Sequence, residues 1–330
     1  MNSVALISCP CFAFGSPPLA LASLQAQLRH DGVETVVYDL DFMFMRDRPA
    51  QFHELYRVFS IGHELSVDRV QYVVRPELLL MALFDEHYSD QRRSEHAIDL
   101  AAVAAAREYL TSWAAVILDS GVRSVAISAY VSTLPASLLF AQALKAIAPD
   151  VRIAIGGPGV GQPAIQEWVL RLGFVDVCAT GEGERVISEL CLAMLSGSDY
   201  ADVPGLTCLV DDAIVRTAAP PLIALSELVT PDFSGLPVPG HPLSSYRSNP
   251  LVNTRWFGTA LPIATTRGCV MRCSFCSETN YWQRYRYRTV EAVVGEIGAS
   301  GALGCEAVFV RRQLVERQQS MAGGLRRSVH

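Results

Sequence analysis

Three cysteines fall within eight residues, Cys269, Cys273 and Cys276, spaced C-x3-C-x2-C in the run Arg267-Gly-Cys-Val-Met-Arg-Cys-Ser-Phe-Cys276. Thiolates this close can converge on one soft metal centre. Structural zinc takes four protein ligands, and no fourth Cys or His is near: Cys305 stands in a strand-like run, and the nearest His is upstream at His241. An iron–sulfur cluster of four irons held by three thiolates, with one iron left for an outside ligand, is the economical reading. A site completed by Cys305, or three unligated cysteines, is the alternative that spacing alone leaves open. The preceding Leu261 to Thr266 is apolar and β-branched, which predicts a short buried strand. The cysteines then leave a strand's C-terminal end, where α/β folds carry chemistry. Arg267, Arg272, Arg284, Arg286 and Arg288 form a basic patch beside them. It reads equally as a solvated rim or as contacts to cofactor carboxylates or phosphates.

The segment resembles the cluster motif of radical S-adenosylmethionine enzymes, C-x3-C-x-aromatic-C, with Phe275 in the aromatic place. Thr266-Arg-Gly268 before it and Tyr285-Arg-Tyr-Arg288 after it resemble the same family's surroundings. The resemblance implies a 4Fe-4S cluster on Cys269, Cys273 and Cys276, whose open iron chelates the methionine part of S-adenosylmethionine. Reductive cleavage of that cofactor then gives a 5′-deoxyadenosyl radical, fed by an external electron donor such as flavodoxin or ferredoxin.

The bulk composition agrees with such a protein. At 330 residues, half of them hydrophobic and 18% charged, the chain can bury a substantial core and is long enough for two domains or one and a fraction. A net charge of −6 argues against coating nucleic acid. Nine cysteines in a chain this long do not make a dense disulfide framework. No export signal opens the sequence, and no apolar run is long enough to span a bilayer. A reducing cytoplasm is the expected location.

The N-terminal half predicts a doubly wound, Rossmann-like parallel sheet. Val4 to Ser8 and Val33 to Leu40 read as strands flanking a helix from Leu19 to Arg29, a βαβ unit. The stretch 42–111 reads as a helical insertion. None of His53, His63, His87 and His96 within it has a metal-like partner at helical spacing. Strands resume at Val122 to Ser128, Val151 to Ile155 and Phe174 to Cys178, with a helix ending at Ala148 and another from Arg185 to Leu195. Glycines after the strand tips leave backbone amides uncovered for a large flat or phosphate-bearing ligand, or are ordinary βα turns. Cys9 and Cys11 read as lining a pocket without ligating a metal.

This order resembles the cobalamin-binding domain fused in front of radical S-adenosylmethionine barrels. Ser132-Thr133-Leu134 matches its S-x-L element, Gly156-Gly157 its G-G element, and Gly181-Glu182-Gly183-Glu184 the G-E-G-E run of the fused proteins. The resemblance implies that these loops cradle cobalamin. The D-x-H-x-x-G element is absent, so cobalt would lack a protein imidazole below it. A cobalamin-free docking domain is the alternative.

The organisation expected is a cobalamin-binding-like domain over 1–200, a Pro/Gly-rich hairpin and linker over 201–258, and the start of a partial (β/α) TIM-type barrel over 259–310. The hairpin pairs Gly205 to Val210 with Ala213 to Arg216 around Asp211-Asp212. The second domain continues with a helix from Thr289 to Ala299 and a strand from Cys305 to Val310. Residues 311–330 contain five arginines, one Glu and no Asp, without a core pattern. They read as an atypical tail, out of frame in a shortened gene, with a naturally short protein as the alternative. Radical chemistry needs a sequestered site, so a barrel without its later strands is expected to turn over nothing. The family reading is a C-methyltransferase acting on an unknown small molecule or peptide. The rivals are a rearranging or ring-contracting enzyme and a non-enzymatic fragment, and no catalytic acid or base is named.

Overall fold

In the computed structural model the described residues are 3–11, 16–59, 84, 100–237, 260–271, 281–302 and 307–311. Five short parallel strands make the centre: β1 (Val4–Ser8), β2 (Thr35–Asp39), β3 (Ser124–Ser128), β4 (Arg152–Gly156) and β5 (Val177–Ala179). Two antiparallel strands extend the edge, β6 (Leu206–Val210) and β7 (Ala213–Arg216), giving the order β2-β1-β3-β4-β5-β6-β7. The parallel part, 2-1-3-4-5, is the flavodoxin-type doubly wound order, whose ligands sit beyond the strands' carboxyl ends.

Both faces of the sheet are covered because side chains alternate along each strand. Ala5, Ile7, Val125, Ile127, Ile153 and Ile155 enter one core. It is roofed by α2 (Leu40–Asp47), α3 (Pro49–Phe59), α4 (Leu100–Asp119), α5 (Leu134–Ile147) and α6 (Pro163–Arg171). Val4, Leu6 and Ala126 face the other way, onto α1 (Leu19–His30) and α7 (Gly183–Ser196). Fully buried Phe44, Phe52 and Phe140 anchor the first core, each stabilising by about 1.5–3 kcal/mol through burial.

Some boundaries move, each for a local reason. The second strand stops at Asp39 rather than Leu40, because the Asp39 carboxylate accepts from the Phe42 amide at 3.2 Å and caps α2. The expected helical stretch holds over 42–59 and 100–111, broken at Arg48 ahead of Pro49; most of its middle lies outside the described residues. The hairpin forms as expected, with Asp211 and Asp212 at φ 47° and 62°, the left-handed pair a type I′ turn requires.

The second unit contains β8 (Ala260–Ala264), β9 (Thr266–Arg267), β10 (Arg286–Tyr287), α8 (Val290–Ala302) and β11 (Ala307–Arg311). β11 pairs in parallel with β8, Val308 opposite Leu261, so β8, α8 and β11 form one βαβ unit. The single strand expected over Leu261 to Thr266 is split: Thr265 ends the ladder with β11, and β9 turns to pair antiparallel with β10. The last strand, Ala307–Arg311, runs one residue past the expected Val310, and Cys305, where it was expected to begin, lies outside the described residues.

The two units are in contact. Leu261 packs in one cluster with Leu21, Val37, Phe233 and Leu236. The chain at 232–234 is tied to α1, where the buried Gln25 amide donates to the carbonyls of Asp232 at 3.0 Å and Ser234 at 2.8 Å. Residues 238–259 and 312–330 lie outside the described residues, so the last part of the expected linker and the expected out-of-frame tail fall there. No helix among the described residues is long and apolar enough to cross a membrane.

Candidate functional site

The tips of β3, β4 and β5 open on a cavity of about 620 Å³, within the range of small-molecule and cofactor sites. Its floor is Ile127, Ser128, Ile155 and Gly156; Leu19 and Leu24 of α1 close one side. Thr266, Arg267, Tyr281 and Trp282 of the second unit form the opposite wall. The walls are mostly apolar, with aromatic rings where the two units meet.

The motif residues divide. Gly156, Gly157, Gly181, Gly183 and Glu184 line the cavity, whereas Ser132, Thr133, Leu134 and Glu182 are not among its lining residues. Thr133 is fully buried, and its hydroxyl accepts from the Tyr130 amide at 2.8 Å, closing the turn into α5. Tyr130 reaches the wall in its place. Gly157 has φ 101°, and a Cβ there would stand 2.6 Å from the Ala129 carbonyl oxygen. The tight packing of neighbouring loops therefore demands this glycine whether or not a ligand approaches. Cys9 and Cys11 do not line the cavity as expected. Both are wholly buried in the core on the other face of the sheet, where burial pushes their thiols up and keeps them protonated. A small apolar residue suits that place.

The Gly181–Glu184 turn carries an unexpected feature. Glu182, with its side chain 1% exposed, accepts from Arg267 Nη1 at 2.6 Å and from Arg286 Nη1 at 2.8 Å. It also accepts from the Ile223 amide at 3.0 Å, while Arg286 donates to the Ile223 carbonyl at 2.8 Å. Glu184 takes the other side of the Arg267 guanidinium, accepting from Nη2 and, at 3.3 Å, from Nη1. Arg267 also lies over the Trp282 ring, 5.2 Å from its centroid, and the Tyr281 hydroxyl donates to the Gly181 carbonyl at 2.7 Å. In the same unit Arg288 pairs with buried Glu296 at 2.5 Å. The basic patch is therefore not a solvated rim: Arg267, Arg286 and Arg288 are engaged with internal glutamates, Arg284 is exposed, and Arg272 lies outside the described residues.

Burial alone would raise the Glu182 carboxyl, but hydrogen bonds from Arg286 and Arg267 outweigh it and hold the group below its ordinary value of 4.5. Its stabilisation is present above that value and is lost as pH falls through the lower folded-state value. Glu296 goes the other way, because burial outweighs Arg288 and lifts its carboxyl. Its contribution is greatest in acid and weakens as pH rises through the raised value. Thermal melts between about pH 5 and pH 3 should show the wild-type midpoint falling more steeply than that of Glu182→Gln, which has no carboxyl to protonate. Parallel slopes would contradict this assignment.

Arg267 leads into the cysteine loop. Gly268 has φ 78°, and a Cβ on it would lie 2.2 Å from the Arg284 carbonyl oxygen. Cys269 is half-buried, and its sulfur accepts from the Met271 amide at 3.4 Å. Cys273, Phe275 and Cys276 lie outside the described residues. Among the described residues no group of three or more His, Cys, Asp or Glu could hold a metal.

No protein-family model matches the chain. The anaerobic magnesium-protoporphyrin IX monomethyl ester cyclase of Cereibacter sphaeroides is 35% identical over 129 residues, 38% of this chain and 19% of that protein. The cobalamin-dependent radical SAM methyltransferase TokK of Streptomyces tokunonensis is 32% identical over 155 residues, 46% of this chain and 21% of that protein. The radical S-adenosylmethionine methyltransferase TsrM of Kitasatospora setae, solved with cobalamin and a 4Fe-4S cluster bound, shares the fold with a TM-score of 0.58 at 19% identity. That match covers 100% of this chain and 51% of TsrM. The chain thus spans about a fifth of these curated relatives and about half of TsrM. In sequence the chain is similar to parts of these curated proteins, and it shares its fold with about half of TsrM's length.

Proposed function

We propose that the chain is the cofactor-binding part of a cobalamin-dependent radical S-adenosylmethionine enzyme, most simply a C-methyltransferase. The observation that carries this reading is the shared cavity: the carboxyl ends of a 2-1-3-4-5 sheet meet the residues that lead directly into a three-cysteine loop. Cys269, Cys273 and Cys276 would hold the cluster, with Phe275 beside S-adenosylmethionine. Gly156, Gly157 and the Gly181–Glu184 turn would border cobalamin, with Ser132, Thr133 and Leu134 shaping the loop behind Tyr130. When bound, the cluster and S-adenosylmethionine supply one-electron chemistry at carbon, and cobalamin supplies a transferable methyl group.

The chain's own residues do three things. The apolar wall of Leu19, Leu24, Ile127 and Ile155 excludes water, which favours a flat macrocycle and protects reactive species. The Met271 amide donates to the Cys269 sulfur and fixes its direction at the start of the loop. The two glutamates and two arginines between the units neutralise one another, so the wall offers no unpaired charge to the ligand. The substrate is a small molecule or peptide, the electron donor is a flavodoxin- or ferredoxin-like protein, and the setting is a reducing cytoplasm.

A second reading has its own support. The Cereibacter relative is a cyclase, so non-methylating ring chemistry on the same cofactors fits the same cavity. The shared part of both readings is tested first. Anaerobic reconstitution with iron and sulfide should load about four irons per chain, and gel filtration with aquacobalamin should retain the corrin absorption band. The Cys269→Ala/Cys273→Ala/Cys276→Ala variant should lose the iron and its charge-transfer absorption. Iron loading equal to the wild type would remove the cluster, and an absent corrin band would remove cobalamin. Methylated product from labelled S-adenosylmethionine then separates the two chemistries.

A further inference from the structure

Antiparallel pairing of β9 with β10 sets Arg267 directly opposite Arg286. Like charges directly opposite on a ladder destabilise it, and these two side chains are only 11% and 14% exposed, so water screens them little. The compensating charge comes from the other unit. Glu182 bridges both guanidiniums, and Glu184 completes the count, two carboxylates to two arginines. The ladder that launches the cysteine loop is thus electrically complete only when the Gly181–Glu184 turn is docked on it. Arg267 is two residues from Cys269 in the chain. The same turn and the same arginine are walls of the cavity, through Gly181, Gly183, Glu184 and Arg267.

From this juxtaposition we infer that Glu182 is a positioning residue for the metal centre, acting through Arg267 to fix where the three-cysteine loop departs. The same contact couples occupancy of the cavity to the state of that loop. The coupling rests on the reading that the cysteines carry an iron–sulfur cluster and the cavity takes a corrin; the positioning itself does not. Coupling of this kind is reciprocal: a cluster that tightens corrin binding is itself held tighter by the corrin, by the same factor.

The test uses the 330-residue chain as wild type and as Glu182→Gln, which keeps the shape of the side chain and removes its charge. Without any metal, amide hydrogen exchange over Arg267 to Met271 should be at least about tenfold faster in the variant, as expected when a buried ionic anchor is broken. Unchanged exchange there would overturn the inference whatever the cysteines bind. After anaerobic reconstitution, aquacobalamin should bind the wild type roughly tenfold more tightly with the cluster than without it, within the usual range of coupling between sites. In Glu182→Gln that ratio should fall to about one, and the electron paramagnetic resonance signal of the reduced cluster should broaden, a readout that a general loss of stability would not move. An equal ratio and an equal signal in the variant would also overturn the inference. If Glu182→Gln does not fold, Glu184→Gln removes only the outer carboxylate and should give an intermediate ratio; a wild-type ratio there counts against the coupling. A wild type that binds neither iron nor corrin would sink the proposed function, while the exchange result would still decide the positioning role.

Discussion

Glu182→Ala should destabilise the folded chain by about 3–5 kcal/mol, the usual effect of leaving a buried ion pair with one partner. The magnitude follows from what remains. Arg267 keeps Glu184, but Arg286 Nη1 is left with only the Ile223 carbonyl, and its Nε and Nη2 already lack hydrogen-bond partners. A guanidinium cannot shed its proton to escape burial, so the whole desolvation penalty falls on the native state. The companion variant Glu182→Ala/Arg286→Met separates a broken pair from a missing one. Removing both charges should recover part of the loss, because the uncompensated guanidinium is gone, while the volume that Ala leaves unfilled keeps a remainder. Urea titrations of the two variants and of Arg286→Met close the double-mutant cycle, with an interaction of about 2–3 kcal/mol expected for charged groups sharing one network. An additive cycle would mean that the pairing seen here contributes nothing to stability.

That network shows where the sequence can be read and where it cannot. The strands of the N-terminal sheet are legible because parallel strands buried on both faces are near-continuous apolar runs, as in Val4 to Ser8 and Val151 to Ile155. The cysteine loop is legible because its spacing is local. The type I′ hairpin is legible because two adjacent aspartates between apolar runs tolerate left-handed backbone. Glu182 was placed correctly as part of a turn, yet its partners are 85 and 104 residues away in the chain. No periodicity connects such residues. One local hint was present all the same: a glutamate between glycines at a strand tip. Cys9 and Cys11, expected to line a pocket without ligating a metal, are instead ordinary core residues, because a loop at a strand tip can turn either to the cavity or into the core and local sequence does not say which. Tyr281 and Trp282 were missed as cavity walls because they follow the cysteine loop by only a few residues and reach the sheet tips solely through the docking of the two units.

Gly268→Ala should abolish cluster loading while leaving the N-terminal sheet folded. The glycine sits between Arg267 and Cys269 with φ 78°, where an L-residue pays about 1–2 kcal/mol of backbone strain. The added methyl would also stand 2.2 Å from the Arg284 carbonyl oxygen and 2.6 Å from its carbon, both main-chain atoms of the strand partner's approach. Neither can swing aside as a flexible side chain could, so the β9–β10 ladder must open or the loop must leave it. Either movement carries Cys269 away from the place that the Met271 amide and the Arg267 anchor assign it. Gly173→Ala is the matched control, with φ 76° and nothing within 4 Å of its Cβ. It suffers the same backbone strain without the collision and lies in the N-terminal unit, so it should lower stability by about 1–2 kcal/mol and keep its iron. Iron retained in Gly268→Ala at the level of Gly173→Ala would show that the loop's departure from β9 does not govern the metal centre.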